Sequence, residues 1–244
     1  MGRSATAGRS ICLRPSPRGW WRRRNARPSR LSSRFPPAPD PSAIEPLLLR
    51  WKKGSPMVRC HDVRFGATEF NPGLGAGRFH PFEDVRSGKA VPVLYAAGDL
   101  DGALSETVFH DVAVRGPGKK VERFMLEAMV ASMLACERDL SLAQLYGYGL
   151  SRLGVTRLEL IESGAEEYER TAAWARALHA CDEAIDGLIW VSRQNDGSRA
   201  IVLFGDRVSR NDLRIARNPV TLYIHPGFDQ VQEAAEKAGI LILD

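Results

Sequence analysis

Long apolar runs are missing from this sequence. No stretch of about 18 uncharged apolar residues occurs, which excludes a membrane-spanning helix. Cysteine is scarce: Cys12, Cys60, Cys136 and Cys181 are scattered, and none belongs to a Cys-x-x-Cys pair. A disulfide scaffold and a structural zinc module are therefore excluded, and a reducing, cytoplasmic setting is the expectation. The histidines His61, His80, His110, His179 and His225 never fall in a His-Glu-x-x-His spacing. Gly73-Leu74-Gly75-Ala76-Gly77 has Asn71-Pro72 before it and His80-Pro81 after it, so it lacks the strand and helix that a dinucleotide turn requires. No Walker lysine follows it. Ser192 has no glycine frame of the kind a nucleophile elbow needs, which disfavours an α/β-hydrolase.

What is present fits a soluble globular protein of one large domain: 244 residues, 44% hydrophobic and 26% charged. The net charge of +5 conceals an asymmetry. Residues 1–53 carry eleven Arg and two Lys against Asp40 and Glu45, whereas the remainder holds 21 basic and 27 acidic residues. The pI near 9.2 thus comes from the N-terminal segment, and the acidic body gives no support to a nucleic-acid surface. Residues 1–54 are rich in proline and include Trp20-Trp21-Arg22-Arg23-Arg24, with neither helical nor strand periodicity. The expectation is a disordered basic leader over 1–54, without the amphipathic stripe of a transit peptide or the apolar region of a secretory signal. Met57 is a candidate translation start.

From residue 55 onward the punctuation is that of a compact α/β (α+β) domain. Strands are expected over 57–63, 91–97, 126–136, 187–192 and 200–204, with helix as the alternative for 126–136. Asp196-Gly197 marks the tip of a hairpin joining the last two strands. A helix capped by Asp99 or Asp101 is expected to run to about Val114, because Leu100, Leu104, Val108 and Val112 recur every four residues. Further helices are expected over 166–181, with Trp174, Ala177, Leu178 and Cys181 on one side, and over 228–238, followed by an apolar tail at 240–243.

The polar residues set on those apolar elements form a distinctive series. Gly77-Arg78-Phe79-His80-Pro81 precedes Val91-Pro92-Val93-Leu94-Tyr95-Ala96-Ala97. Ala103-Leu104-Ser105-Glu106-Thr107 follows, and Leu188-Ile189-Trp190-Val191-Ser192-Arg193-Gln194 comes much later. This order of Arg, Tyr, Glu and Ser resembles the RES domain, over about three quarters of the chain from Met57 onward. The resemblance implies a fold like that of the ADP-ribosyltransferases and an activity that degrades NAD, either as an NAD glycohydrolase or as an NAD phosphorylase. It implies the toxin of a type II toxin–antitoxin pair, whose partner is an Xre-type helix-turn-helix antitoxin and whose contact with DNA is only indirect, through that antitoxin. Assembly into an oligomer is part of the same expectation. It also assigns Arg78, Tyr95, Glu106 and Ser192 to the site, with Arg59 in the place of an earlier arginine. Phe79-His80 stands where an aromatic-Asn pair is usual in the family.

The residue types suit that chemistry. Cleaving the nicotinamide–ribose bond passes through an oxocarbenium-like state, which a carboxylate such as Glu106 stabilises. Arg78 offers a planar fork of donors to a pyrophosphate or ribose. Tyr95 combines a stacking face with a hydroxyl, and Ser192 is a small donor-acceptor. NAD is then a substrate; no further cofactor and no metal is implied, because the cationic nicotinamide is already a good leaving group. Each residue also has a plainer role: Glu106 as a solvated helix residue, Arg78 as a loop arginine, Tyr95 and Ser192 as strand packing, Arg59 as an ion-pair partner. His110, one turn after Glu106, is either its orienting neighbour or a surface histidine. Two other functions compete: a nucleic-acid-binding protein acting through the Arg-rich leader, and an inactive relative that survives as an interaction protein.

Overall fold

The computed structural model describes residues 36–113 and 118–244. Eight strands form one sheet: β1 (Leu48–Trp51), β2 (Pro56–Asp62), β3 (Val93–Ala97), β5 (Met129–Cys136), β6 (Leu140–Gln144), β7 (Gly187–Val191), β8 (Arg199–Phe204) and β9 (Leu213–Thr221). Their spatial order is β1-β6-β7-β8-β3-β2-β5-β9. All neighbours are antiparallel except β6 and β7. A separate parallel pair joins β4 (Lys120–Glu122) to β10 (Leu241–Leu243). Helices α1 (Leu100–Ser105), α2 (Tyr148–Leu153), α3 (Arg157–Leu160), α4 (Tyr168–Cys181) and α5 (Gly227–Ala238) complete this single mixed α/β domain.

Strand alternation divides the core. Val93, Leu188, Trp190, Val202 and Phe204 point to one face, where Trp174, Ala175 and Leu178 of α4 cover them. Leu94, Ala96, Ile189, Ile201 and Leu203 point the other way and pack with Met57, Leu134, Leu140 and Leu142. A third cluster sets α1 and α5 against Val58, Cys60, Ala97 and Ala131. The β7–β8 hairpin has the expected register, with Gly187 opposite Leu203 and Val191 opposite Arg199. The segment 126–136 divides into the end of a 3-10 turn (Arg123–Leu126) and β5, so strand is the outcome there.

Two expectations need correction. The folded unit starts upstream of the 54/55 boundary: Ile44 is buried, and β1 pairs with β6 along Leu48 to Trp51. A chain beginning at Met57 lacks that edge strand. The part of the expected leader over 1–35 lies outside the described residues. Helix α1 also ends early, at Ser105. Beyond it the Leu104 carbonyl accepts from both Thr107 N (3.3 Å) and Phe109 N (2.9 Å), which winds the chain into turns. Val108 and Phe109 stay under the same core, so the four-residue apolar spacing continues although the helix does not.

Buried polar ties hold the sheet ends. Arg138 reaches Asp186 through two nitrogens, at 3.0 and 2.7 Å, and Asp186 also accepts from Ser141 N. His179, 2% exposed, places Nε2 2.8 Å from Asp206 and packs edge-on against Phe82 and Phe204. Asp84 accepts from Ser87, and those bonds hold its pKa down to about 2.

Two outcomes follow. Leu178→Ala, which empties the α4–sheet contact, costs about 2–5 kcal/mol in urea unfolding. Because the folded Asp84 pKa is depressed to about 2, its contribution is present above the unfolded carboxylate value and is lost as pH falls through about 2. In melting curves taken across pH, Asp84→Asn is therefore less stable than wild type at neutral pH, and the gap closes at the acid end.

Candidate active site

Arg78 sits in a tight turn that depends on a glycine. Gly77 N donates to His80 O at 3.0 Å and His80 N to Gly77 O at 3.3 Å. A Cβ on Gly77 would lie 2.7 Å from His80 Nδ1, closer than the ring allows. The turn projects Arg78 inward, where it is 5% exposed. Its Nη1 donates to Ser163 O at 2.9 Å, Ser163 Oγ at 3.0 Å and Leu160 O at 3.5 Å, and the Thr171 hydroxyl of α4 donates to its carbonyl. Among the described residues every hydrogen bond of this guanidinium runs through Nη1, so Nε and Nη2 have no protein acceptor. Burial lowers the Arg78 pKa, opposed by Tyr168 and then Glu106, and an arginine so placed remains charged.

Tyr95 lies at the centre of β3, opposite Val202, with Leu188 beyond it. Its hydroxyl accepts from Phe79 N at 3.1 Å and lies 3.1 Å from His80 Nδ1, so it grips the residues on the C-terminal side of Arg78. Burial pushes the phenol well above its ordinary pKa and lowers that of His80, leaving both groups neutral at physiological pH. Tyr95 and Phe79 both stand edge-on to Trp190, whose indole nitrogen has no partner among the described residues.

Glu106 is the C-cap of α1, half-buried at φ −88° and ψ −5°. Its carboxylate makes no hydrogen bond or ion pair among the described residues. Its charge is felt by Arg78, Tyr95 and Tyr168. Helix α1 is fixed at its other end by Asp99, which accepts from Gly102 N at 2.7 Å and from Ser198 Oγ at 2.8 Å in the β7–β8 loop.

The structure thus brings Arg78, Tyr95 and Glu106 together. Ser192 is placed less directly. It is fully buried just past β7, and alternation from Leu188 and Trp190 directs it to the Tyr95 face. Its Oγ accepts from Gln194 N at 3.3 Å, and its carbonyl accepts from Arg157 at 3.0 Å. Arg59 stands apart. In β2 it follows Met57 onto the face opposite Val58 and Tyr95, and its Nη1 donates to the carbonyls of Ala67 (3.0 Å) and Glu69 (2.6 Å). Burial lowers its pKa to about 10, and through those carbonyls this arginine braces the 66–69 loop rather than sharing a partner with Arg78.

Several neighbours escaped the sequence reading. Tyr168 presents its ring to the Arg78 guanidinium, with Cζ 5.5 Å from the centroid. Ser163 anchors Nη1. Gln194 and Arg193 bind the carbonyls of the segment that follows Glu106. Only long-range packing reveals these contacts; the one local signal was the run Ser192-Arg193-Gln194 at a strand end.

Comparison with known proteins finds a matching family and solved structures of similar fold. The family model described as the RES domain matches residues 56–222. The crystal structure of the M. tuberculosis MbcT–MbcA toxin–antitoxin complex contains a chain that superposes with a TM-score of 0.53 at 17% identity, covering 76% of this chain and 92% of that one. At that identity the likeness is one of fold. No curated protein matches the sequence. Because the family model spans more than half of the chain and includes Arg78, Tyr95, Glu106 and Ser192, this protein belongs to the RES domain family.

Proposed function

We propose that the chain is the toxin of a type II toxin–antitoxin pair and that it depletes NAD by cleaving the bond between nicotinamide and ribose. The observation that carries this reading is the pairing of a buried, half-committed guanidinium with an uncommitted carboxylate. Arg78 is fastened through Nη1 alone, so Nε and Nη2 remain for a pyrophosphate or ribose oxygen. Glu106 shares the same electrostatic environment without being neutralised by a contact ion pair.

In the reaction the C1′–N bond breaks, its electron pair leaves with neutral nicotinamide, and positive charge develops on the ribose. Glu106 stabilises that charge. Water attack then yields ADP-ribose and a proton, and phosphate attack yields a phosphorylated ADP-ribose. Tyr95 holds the turn that aims Arg78, and Ser192 supports the neighbouring strand end. The proposed partner is an Xre-type helix-turn-helix antitoxin; the MbcT–MbcA structure, a toxin–antitoxin complex on the same fold, supports an antitoxin partner. A resemblance of the fold to that of the ADP-ribosyltransferases belongs to the same proposal.

The test is NAD consumption by the purified full chain, with and without phosphate. Wild type consumes NAD, and Glu106→Gln and Arg78→Ala each lose about 10²–10³-fold in rate while keeping the wild-type circular dichroism spectrum. A rate that needs phosphate identifies phosphorolysis; one indifferent to it identifies hydrolysis. Undiminished turnover in both folded variants removes the site, and no turnover by folded wild type removes the enzyme.

A further inference from the structure

Tyr168 opens α4 and touches both halves of the site. Its ring face lies against the Arg78 guanidinium, 5.5 Å from Cζ to centroid. Its hydroxyl lies 3.2 Å from His110 Nε2. The other nitrogen of that imidazole, Nδ1, is 3.0 Å from Asp111 Oδ1. A carboxylate accepts only, so in the neutral imidazole Nδ1 carries the proton, and Nε2 is then the acceptor for the Tyr168 hydroxyl.

His110 itself is held firmly. It follows Glu106 by four residues in the turn segment beyond α1, where Phe109 N donates to Leu104 O at 2.9 Å. Its carbonyl accepts from Arg193 Nη2 at 3.4 Å and from Gln194 Nε2 at 3.4 Å, and Gln194 Nε2 also reaches Val112 O at 3.0 Å. The Glu106 segment is thus fastened to the end of β7 by two side chains and to α4 by one. Arg78 is fastened to the α3–α4 connection through Ser163 and Leu160.

We propose that Tyr168 is a positioning residue that sets the Arg78 guanidinium relative to the Glu106 carboxylate, its ring backing the first and its hydroxyl, through His110, fixing the segment that carries the second. The α4 backbone carries the ring against Arg78, and the hydroxyl separately ties that ring to the segment bearing Glu106. The site then keeps its cationic and anionic groups apart but aligned before substrate arrives. In its activity arm this role rests on the NAD-cleaving reading above.

Two measurements test it. The first is a double-mutant cycle on NAD consumption. Tyr168→Phe keeps the ring over Arg78 and loses the hydroxyl; His110→Ala loses the acceptor. Each lowers kcat about tenfold with KM nearly unchanged, and the double variant is no slower than the slower single one, because both remove one interaction. Losses that multiply overturn the proposal, as does a change confined to KM. The second needs no turnover: the Nε–H signal of Arg78 in a ¹⁵N NMR spectrum, assigned with Arg78→Lys. The signal persists in wild type and in Tyr168→Phe, and exchanges away in Tyr168→Leu, with the backbone amide spectrum retained. An Arg78 signal unchanged in folded Tyr168→Leu overturns the proposal; if that variant does not fold, the Phe variant and the cycle decide. Folded wild type that fails to consume NAD defeats the proposed reaction, and the Arg78 signal then decides the role of Tyr168 on its own.

Discussion

Burial of the Arg78 guanidinium is the constraint around which this half of the molecule is arranged. A charged group taken out of water needs compensating acceptors and polarisable faces, or its desolvation exceeds what the fold can offset. Arg78 finds acceptors on one nitrogen, from the Leu160 and Ser163 carbonyls and the Ser163 hydroxyl, and a face in the Tyr168 ring. Its own backbone is held as tightly. Gly77 permits the turn, Tyr95 takes the Phe79 N–H, and Thr171 donates to the Arg78 carbonyl. Four separate pieces of chain meet there: the 77–80 turn, β3, the α3–α4 connection and α4. The aromatic cluster of Phe79, Tyr95 and Trp190 is the apolar floor that makes such a meeting possible.

The same device recurs away from the site, with a different outcome. Arg138 and Asp186 are bidentate, and Asp186 additionally caps Ser141 N, so that cation is fully committed to joining β5, β6 and β7. Arg207 donates to the Asp182, Ile185 and His179 carbonyls and secures the end of α4. Arg59 is spent on the 66–69 loop. Arg59 likewise bonds through Nη1 alone, so free donors by themselves do not set Arg78 apart; what does is the Tyr168 ring against it and the unpaired Glu106 carboxylate acting on its charge.

Much of the framework was legible before any coordinates. The central strands β3, β7 and β8 are short, almost entirely apolar runs, and a strand buried on both faces has to look like that. The Asp196-Gly197 tip set their hairpin, and Trp174, Ala177 and Leu178 marked the buried side of α4. The outer strands were less legible. β1 lies in a Pro- and Arg-rich stretch whose composition argued for disorder, yet pairing with β6 supplies the partner that composition cannot show. β9 alternates poorly because it is an exposed edge. Helix α1 was read too long for an instructive reason: the turns after Ser105 wind beneath the same core, so spacing alone could not distinguish them from helix. Within the site, residue order led to Arg78, Tyr95, Glu106 and Ser192, whereas the face occupied by Arg59 followed only from register. Tyr168 could not be found from sequence, because its significance lies in contacts with His110 and Arg78, residues far from it in the chain.

The distribution of commitments also bears on the proposed chemistry. A glutamate and an arginine sharing a half-buried site tend to collapse into a contact ion pair, which would leave neither free to respond to a developing cation. Here the collapse is opposed from the arginine side. Nη1 is drawn toward Ser163, the Tyr168 ring occupies one face, and the turn at 77–80 is locked by the Tyr95 hydroxyl. Glu106 is restrained from its own side, since the segment beyond it is bound by Arg193 and Gln194. Opposite charges held close without contact form a preorganised field, and such a field costs no reorganisation at the moment of reaction. For glycosidic cleavage, where positive charge develops on the sugar as neutral nicotinamide leaves, a carboxylate kept unpaired by the architecture around its neighbouring arginine is the feature that makes the proposed reaction physically coherent.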